Sequence, residues 1–466
     1  MLLPILLRRS AMGARAFCAH LILASLFAPV SGALAQASTA GSQQESTGSV
    51  PPSSYATGGT PQYQPATAGG YSTTPSGPRL AGTTQLAGAP VVPESDLFSA
   101  GEGLLQWGMV HLYPHFLYEL SYGNGLQASP GEQANTLINQ FSPGVLVQLG
   151  PRWSLDYTAT LHYYSDPHFQ NGVDQAVSLN GSAVYEDWVF GLSIGYSDTS
   201  QPLVETAAQT SQDAFSTALT AGYQINSKVS LSFGVNQSLR YVSQTVQSGA
   251  ANVPEDLSNM NEWSTLNWVN YQVMPKVSVG LGLGFTYDNM TAGPDVASEQ
   301  YQGRVVWNAG NKLNVSLSGG LNDQQFLGSG ASDLLTPIFS LTAQYQLFEP
   351  TSLYLSANSG TSPSYFADQV SQNSGISAGI HQRLVGRLFL DISGGYSTTS
   401  YHGTTTSPNA AGISNYNSTS FNAALSTTFF KRLTASAFYQ ATYNSSQSTI
   451  YNYNTTQVGL TLGYSF

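Results

Sequence analysis

Apolar and polar residues alternate one by one through most of the chain beyond residue 110. Between 153 and 163 every odd-numbered residue is Trp, Leu, Tyr or Ala, and every even-numbered residue is Ser, Asp, Thr or His. The segments 277–287 and 458–466 alternate in the same way, with Ser, Gly or Thr at the polar positions. Successive side chains of a strand point to opposite faces, so this period of two predicts strands with one apolar face and one small polar face.

Short turns recur along the chain at a nearly constant interval. Eight of them, centred at residues 151, 187, 227, 275, 311, 349, 386 and 431, are 36 to 48 residues apart. One unit of strand, short turn, strand and longer polar loop therefore repeats. Counting two strands at each short turn, one before the first long loop and one at the C-terminus predicts 18 strands, with 16 as the alternative. The first strand, 110–122, has the weakest signal because Pro114 interrupts it.

The composition indicates that these strands lie in a membrane. Only 8% of the 466 residues are charged, against about 25% in typical soluble domains. Mean hydropathy is −0.10, and beyond the N-terminal segment no run approaches the 18 or so apolar residues of a spanning helix. A transmembrane barrel accounts for both observations, because its outward residues are apolar and its inward residues polar. The predicted fold is all-β, an antiparallel up-and-down transmembrane barrel with a disordered N-terminal segment.

Charged residues are distributed unevenly between the short turns and the long loops. Of the fourteen Lys and Arg residues, seven lie at short turns and three in the first 35 residues. The long loops are expected to hold acids instead, among them Glu132, Asp174, Asp213, Glu299 and Asp323. Short turns face the periplasm and long loops the exterior in transmembrane barrels of this kind. Two interpretations of the loop carboxylates stay open: they bind divalent cations that bridge lipopolysaccharide, or they only keep exposed loops soluble.

The N-terminal part predicts two segments before the barrel. Residues 1–35 combine a positive region, an apolar region and the small-residue cleavage site 33–35, as in a secretory signal peptide. Cys18, the single cysteine, lies in this segment, so the mature chain would form no disulfide. Residues 36–95 are rich in Ser, Thr, Gly and Pro and should form a disordered periplasmic linker. The barrel is expected to occupy 96–466.

The C-terminal strand carries a family resemblance. Its alternation ends on Tyr464 and Phe466, and it resembles the C-terminal strand of bacterial outer-membrane β-barrels. The resemblance covers about 100–466 and extends to porins, including those associated with exopolysaccharide export. It implies an outer-membrane location and a terminal strand that closes the barrel and is recognised by the assembly machinery. Lipid and lipopolysaccharide would then surround the protein.

The inward faces predict a nearly neutral, water-filled lumen. They are mostly Ser, Thr, Gly, Asn and Gln, and side chains of this size would not fill a barrel of 18 strands. The charged residues of inward parity are the pore-lining candidates: Asp156, Arg240, Glu262, Asp288, Arg304, Arg383, Arg387 and Asp391. Because their signs balance, small neutral hydrophilic solutes, including sugars, fit best. The alternative is that these charges pair with each other and brace the wall.

Other functions have weaker support in the sequence. His162, Asp166 and His168 lie near one rim, but rim histidines are common and the sequence does not show a nucleophile and a base within hydrogen-bond reach, so an enzyme is not expected. His111 and His115 share a strand face without a nearby third ligand, so neither a metal nor a cofactor is expected. A net charge of −11 argues against nucleic acid. An exopolysaccharide export pore and a structural or adhesive barrel remain alternatives, and the oligomeric state stays open.

Overall fold

The computed structural model describes residues 105–129, 132–203, 205–206, 208–244, 257–310, 312–367, 369–403, 415–430, 432–446 and 452–465. Nineteen strands lie within these residues and form one sheet. The first ten are β1 (Leu105–Trp107), β2 (Val110–Ser129), β3 (Glu132–Leu149), β4 (Trp153–Tyr164), β5 (Gly172–Tyr185), β6 (Trp188–Leu203), β7 (Ala208–Gln224), β8 (Val229–Gln244), β9 (Met260–Met274) and β10 (Val277–Met290). The others are β11 (Val296–Asn308), β12 (Leu313–Phe326), β13 (Leu334–Phe348), β14 (Thr351–Pro363), β15 (Gln369–Val385), β16 (Leu388–Gly403), β17 (Tyr416–Phe429), β18 (Leu433–Ser446) and β19 (Tyr453–Ser465). In the part of the chain so described, no helix is long and apolar enough to cross a membrane.

Strands β2 to β19 close into a ring of 18 antiparallel strands. Each pairs with the strands before and after it in the chain, and β19 pairs with β2 to complete the ring. The predicted all-β up-and-down barrel and its strand number of 18 are confirmed, and the alternative of 16 is wrong. The short strand β1 pairs with the start of β2, outside the count of the ring. The predicted signal peptide and linker lie outside the described residues.

Pro114 does not interrupt the first barrel strand. Strand β2 runs through it to Ser129, well beyond the predicted end. On one side Pro114 is opposite Val145 of β3. On its other side β2 pairs with β1 only up to Leu112 and with described residues of β19 only from His115 onward. On this side Pro114 therefore lies between the β1 pairing and the β19 pairing. Because proline has no N–H to donate, this position disturbs the hydrogen bonding of the sheet least.

The two ends of the barrel differ as the repeat predicted. The short turns lie at one end, which we call the short-turn end, and the longer connections lie at the other, the long-loop end. Five of the acids expected in long loops are an exception. Glu132, Asp174, Asp213, Glu299 and Asp323 lie in strands, because the strands continue past the region of strict alternation on which the loop boundaries were drawn.

The apolar face of the barrel points outward. Leu281 and Leu283 of β10 are 75% and 62% exposed, whereas Gly282 between them is buried. The same contrast recurs around the ring, where exposed aromatic and aliphatic residues alternate with Ser, Thr, Gly, Asn and Gln on the inner wall. This arrangement inverts that of a soluble sheet protein and is typical of a barrel surrounded by lipid.

Buried apolar residues are concentrated at the long-loop end. One cluster, which we call the mouth cluster, consists of Leu203, Tyr365, Tyr416 and Tyr453. A second joins Leu126, Ala128 and Ile138 of the β2–β3 hairpin to Phe169 in the β4–β5 connection. Since these residues come from strands that are not all neighbours in the ring, the long-loop end is folded inward.

Candidate functional site: the lumen and its long-loop end

The connection between β14 and β15 reaches across the lumen. Its residues 364–367, which we call the crossing connection, contact residues near the β6–β7 connection. These two connections are eight strands apart in a ring of 18, which is nearly opposite. Ser364, Tyr365 and Phe366 are almost completely buried. The crossing connection therefore lies inside the mouth of the barrel and narrows it.

Glu205 holds the crossing connection from the opposite wall. It lies between β6 and β7 and has 0% of its surface exposed. Its Oε1 accepts a hydrogen bond from the Ser364 hydroxyl and a second from the backbone N–H of Tyr365, at 2.9 Å. Burial raises the pKa of Glu205 above its usual value, although these two hydrogen bonds and nearby Arg240 oppose the shift. The carboxyl group is thus an anchor whose protonation state depends on the docked connection.

Arg240 of β8 holds the same connection through its guanidinium group. Its Nη2 donates to the backbone oxygen of Ser364 at 3.0 Å, and its Cζ lies 4.2 Å from the centroid of the Tyr365 ring. The Tyr365 hydroxyl in turn donates to Oε1 of Gln212 on β7, at 2.8 Å. Only 2% of Arg240 is exposed. Its charge therefore faces the crossing connection rather than open solvent.

A backbone pairing adds a second attachment. Leu257 and Phe366 form an isolated antiparallel bridge, and the backbone N–H of Ser258 donates to the oxygen of Tyr365 at 2.8 Å. Tyr365 also belongs to the mouth cluster, against which Val242 and Tyr401 pack. Polar, backbone and apolar contacts thus all hold the crossing connection in one position.

The β4–β5 connection folds inward beside it. The backbone N–H of Gln170 donates to Oε1 of Gln209 at 2.8 Å, and Nε2 of Gln209 donates back to the oxygen of Gln170 at 2.9 Å. Phe169 packs against Leu126 and Ile138 of the β2–β3 hairpin. Strand β2 also contacts β6 and β7, which are not its neighbours in the ring. Several connections therefore share the closure of the mouth.

Two predicted pore residues, Glu262 and Asp288, lie beside Arg240. They are directly opposite each other on β9 and β10, and Arg240 lies diagonally from Glu262 on β8. Asp288 is only 4% exposed, and both carboxyl groups interact electrostatically with Arg240. One arginine therefore faces the two carboxyl groups as well as the crossing connection.

Arg304 lies against the wall further toward the short-turn end. Its Nε and Nη2 donate to Oδ1 of Asn270 at 3.0 and 2.6 Å, and its Cζ lies 4.2 Å from the centroid of the Trp268 ring. A Cβ atom at Gly282 would lie 2.8 Å from that ring, so glycine lets the indole lie flat on the wall. Trp268 and Arg304 thus form one packed layer on the inner surface.

The remaining predicted pore residues lie on other parts of the wall. Asp156 of β4 accepts a hydrogen bond from Thr158 at 3.1 Å. Asp391 is 2.6 Å from Nδ1 of His381, its direct partner across β15 and β16. Arg383 lies near the end of β15 and Arg387 in the following turn, and both are exposed at the short-turn end. The eight predicted residues are therefore spread along the lumen, and only Arg240, Glu262 and Asp288 come together.

The candidate assembly residues lie at the closing seam of the barrel. Tyr464 of β19 is opposite Leu433 on β18 and Phe116 on β2. Phe466 lies outside the described residues.

Three inward carboxyl groups were not among the predicted pore-lining residues. Glu119 of β2 and Asp174 of β5 are buried on the inner wall, and Glu205 is the anchor described above. The aromatic residues Phe116, Tyr118 and Tyr122, which have the opposite parity, could have placed Glu119 inward, whereas Glu205 lies in a connection without periodicity. With these three the lumen contains more acids than arginines.

The histidine candidates form two separate pairs. Nε2 of His162 is 2.9 Å from Asp174 on the inner wall, and Nδ1 of exposed His168 is 2.6 Å from Asp166. The backbone N–H and then the ring of His168 hold the pKa of Asp166 below its usual value. Among the described residues, no group of three or more His, Cys, Asp or Glu side chains is placed to hold a metal ion.

No protein-family model matches this chain, and no curated protein matches it. Among solved structures it is similar to OccK2 (OpdF) of Pseudomonas aeruginosa in complex with glucuronate, with 12% identity and a TM-score of 0.42 over 77% of this chain and 98% of that one. OccK11 (OpdR) of Pseudomonas aeruginosa has 13% identity and a TM-score of 0.38, over 76% and 96% of the two chains. The siderophore receptor PirA of Acinetobacter baumannii has 9% identity and a TM-score of 0.42, over 76% and 80%. The barrel assignment itself follows from the strand pairing.

Proposed function

We propose that the chain is an outer-membrane channel of porin type that lets small, mostly neutral hydrophilic solutes cross passively. The observation that carries this proposal is the closed ring of 18 strands with an apolar outer face and a polar inner wall. A barrel of this width is too large for small polar side chains to fill. We expect no enzymatic activity, because the three His–Asp pairs, at His162, His168 and His381, are separate from one another and form no common site.

The short-turn end faces the periplasm in this proposal. Basic residues at the short turns support that orientation, and the long-loop end with the crossing connection would face the exterior. Residues 1–35 would be removed as a signal peptide, and 36–95 would remain as a disordered periplasmic linker. Lipopolysaccharide would surround the outer rim.

The C-terminal strand is proposed to be the assembly signal. Tyr464 lies at the seam where β19 meets β2, and Phe466 continues the alternation. Deleting Phe466 should lower the amount of barrel in the outer membrane more than the amount synthesised. Equal outer-membrane amounts of the truncated and full-length proteins would remove the proposed role.

The inner wall favours neutral solutes with a slight preference for cations. The small polar side chains of the wall support passage of sugars. The pore-lining candidates Asp156, Arg304, Arg383, Arg387 and Asp391 carry both signs, and the additional inward acids shift the balance toward negative charge. Opposite charge along a path favours the corresponding ion. We therefore propose weak cation selectivity.

Single-channel conductance together with liposome swelling tests the function. The protein purified from membranes should conduct ions with weak cation selectivity and admit neutral sugars faster than sugar acids of equal size. Absence of both conductance and flux would indicate a structural or adhesive barrel. Flux of an oligosaccharide in preference to its monosaccharide would indicate polysaccharide export instead.

A further inference from the structure

A concave notch lies on the outward surface of strands β4 to β8, toward their short-turn end. It is open on one side and has a volume of ≈ 280 Å³, and its walls include Trp153, Phe190, Leu219 and Phe233. All four are on the apolar outer face and at least 36% exposed. The notch is therefore an apolar recess in the surface that would face lipid.

Small residues form the floor of this notch. The Trp153 ring covers Gly181, where a Cβ atom would lie 2.1 Å from a ring carbon. Phe190 has Ala183 opposite on one neighbouring strand and Ala221 opposite on the other. Larger side chains at these alanines would fill the recess, so its depth depends directly on their size.

The volume of the notch fits part of an acyl chain. One water molecule needs only about 10–15 Å³ on the same measure of cavity volume, so a recess of ≈ 280 Å³ has room for several methylene groups of an acyl chain. In a membrane, lipid chains are the medium around this surface. An unfilled recess would lose the dispersion contacts that a chain supplies.

The charges beneath the notch indicate the class of headgroup. Glu186 and Asp187 form the exposed turn between β5 and β6, the hairpin that supplies Ala183 and Phe190. Arg152 and Lys228 lie in the preceding and following short turns. Two carboxylates between two cations complement a headgroup that carries both a phosphate and an ammonium group.

We propose that this notch binds an acyl chain of a zwitterionic phosphoethanolamine lipid in the periplasmic leaflet. The phosphate lies toward Arg152, which adjoins Trp153 in the wall of the notch, and the ammonium lies toward Glu186 and Asp187. The proposal depends on the proposed function only for the location of the barrel in a membrane and for the orientation of its short-turn end toward the periplasm. A barrel that conducts no ions would still bind the lipid.

Native mass spectrometry of the full-length mature protein, released from nanodiscs of equal phosphatidylethanolamine and phosphatidylglycerol, tests the notch. The wild type should retain one phosphatidylethanolamine. The double variant Ala183→Leu/Ala221→Leu should lose it. The matched control Ala343→Leu/Ala437→Leu, which enlarges outward alanines of β13 and β18, should retain it.

The headgroup is tested separately with Glu186→Gln/Asp187→Asn. This variant should still retain a lipid, but its preference for phosphatidylethanolamine over phosphatidylglycerol should fall about fivefold, the scale of two exposed charge contacts. An unchanged preference would overturn the assignment of the headgroup. A wild type without retained lipid, or equal retention by the filled and control variants, would overturn the site. Dimers that separate when the notch is filled would show that a second copy occupies it.

Discussion

Replacing Glu205 with Ala should release the crossing connection and open the mouth of the channel. The carboxylate accepts hydrogen bonds from the Ser364 hydroxyl and the Tyr365 N–H inside a region without exposed surface. Its removal leaves both donors unpaired and takes away one of the three carboxyl groups that interact with Arg240. The contacts at Ser258 and Gln212 would remain.

The size of the effect follows from these contacts. A hydrogen bond to a charged group contributes about 1.5–3 kcal/mol. The loss of two such bonds, reduced by the burial cost that the raised pKa of Glu205 reflects, should weaken docking by about 3 kcal/mol. Since 1.4 kcal/mol is a factor of ten, the ratio of docked to released states should fall by about 100-fold.

Glu205→Gln is the matched control. Its amide oxygen can accept the same two hydrogen bonds, so most of the docking should survive. Single-channel recordings should show a longer-lived high-conductance state for Glu205→Ala than for Glu205→Gln or the wild type. Chymotrypsin added to intact vesicles should cleave after Tyr365 or Phe366 only in Glu205→Ala. A folded Glu205→Ala barrel with the conductance and protease resistance of the wild type would refute the role of this contact.

Three further results are expected. Leu257 and Phe366 are antiparallel bridge partners, and the Cα atoms of such partners are about 5 Å apart, which is within disulfide range. The variant Leu257→Cys/Phe366→Cys should therefore form a disulfide that lowers conductance until a reductant is added. Equal conductance before and after reduction would contradict the proposal that the crossing connection narrows the mouth. Burial raises the pKa of Glu205, so this carboxyl group binds its proton more tightly when the crossing connection is docked than when it is released. Docking should therefore weaken as pH rises through the raised pKa. Bilayer recordings should show more channel opening at higher pH in the wild type and no such trend in Glu205→Gln. Leu281→Arg should lower the free energy of unfolding in urea by about 2–4 kcal/mol if the site is near the bilayer midplane. The inward control Ser316→Arg should lower it much less. Equal losses would mean that the outward and inward faces are assigned wrongly.

The architecture of the barrel could be predicted because its rules are local. A period of two assigns every side chain to one of two faces, and a short turn allows only antiparallel neighbours. These rules were enough to count 18 strands and to place Leu281 outward. They failed where a strand continues beyond its alternating part. Glu132 and Asp323 were assigned to loops for that reason.

The closure of the mouth could not be predicted from the same rules. Glu205 and Ser364 are 159 residues apart, and both lie in connections without periodicity. Their contact depends on which connections fold into the lumen. That in turn depends on the packing of Tyr365 against Arg240 and against the other members of the mouth cluster. Gly282 shows the same limit on the wall: the alternation placed it inward, but only the structure shows the Trp268 ring that requires it to be glycine.

The contacts of the crossing connection suit a docking that can be reversed. Burying Glu205 and Arg240 costs solvation free energy, which offsets much of the attraction that holds the connection in place. Such contacts give a specific position without great net stability. The ring of paired strands, in contrast, does not depend on this connection, because all 18 ladders are complete without it. We therefore expect variants of Glu205 or Arg240 to change conductance while leaving the urea midpoint of the barrel unchanged. A large fall in that midpoint would show that the connection is part of the fold rather than a movable constriction.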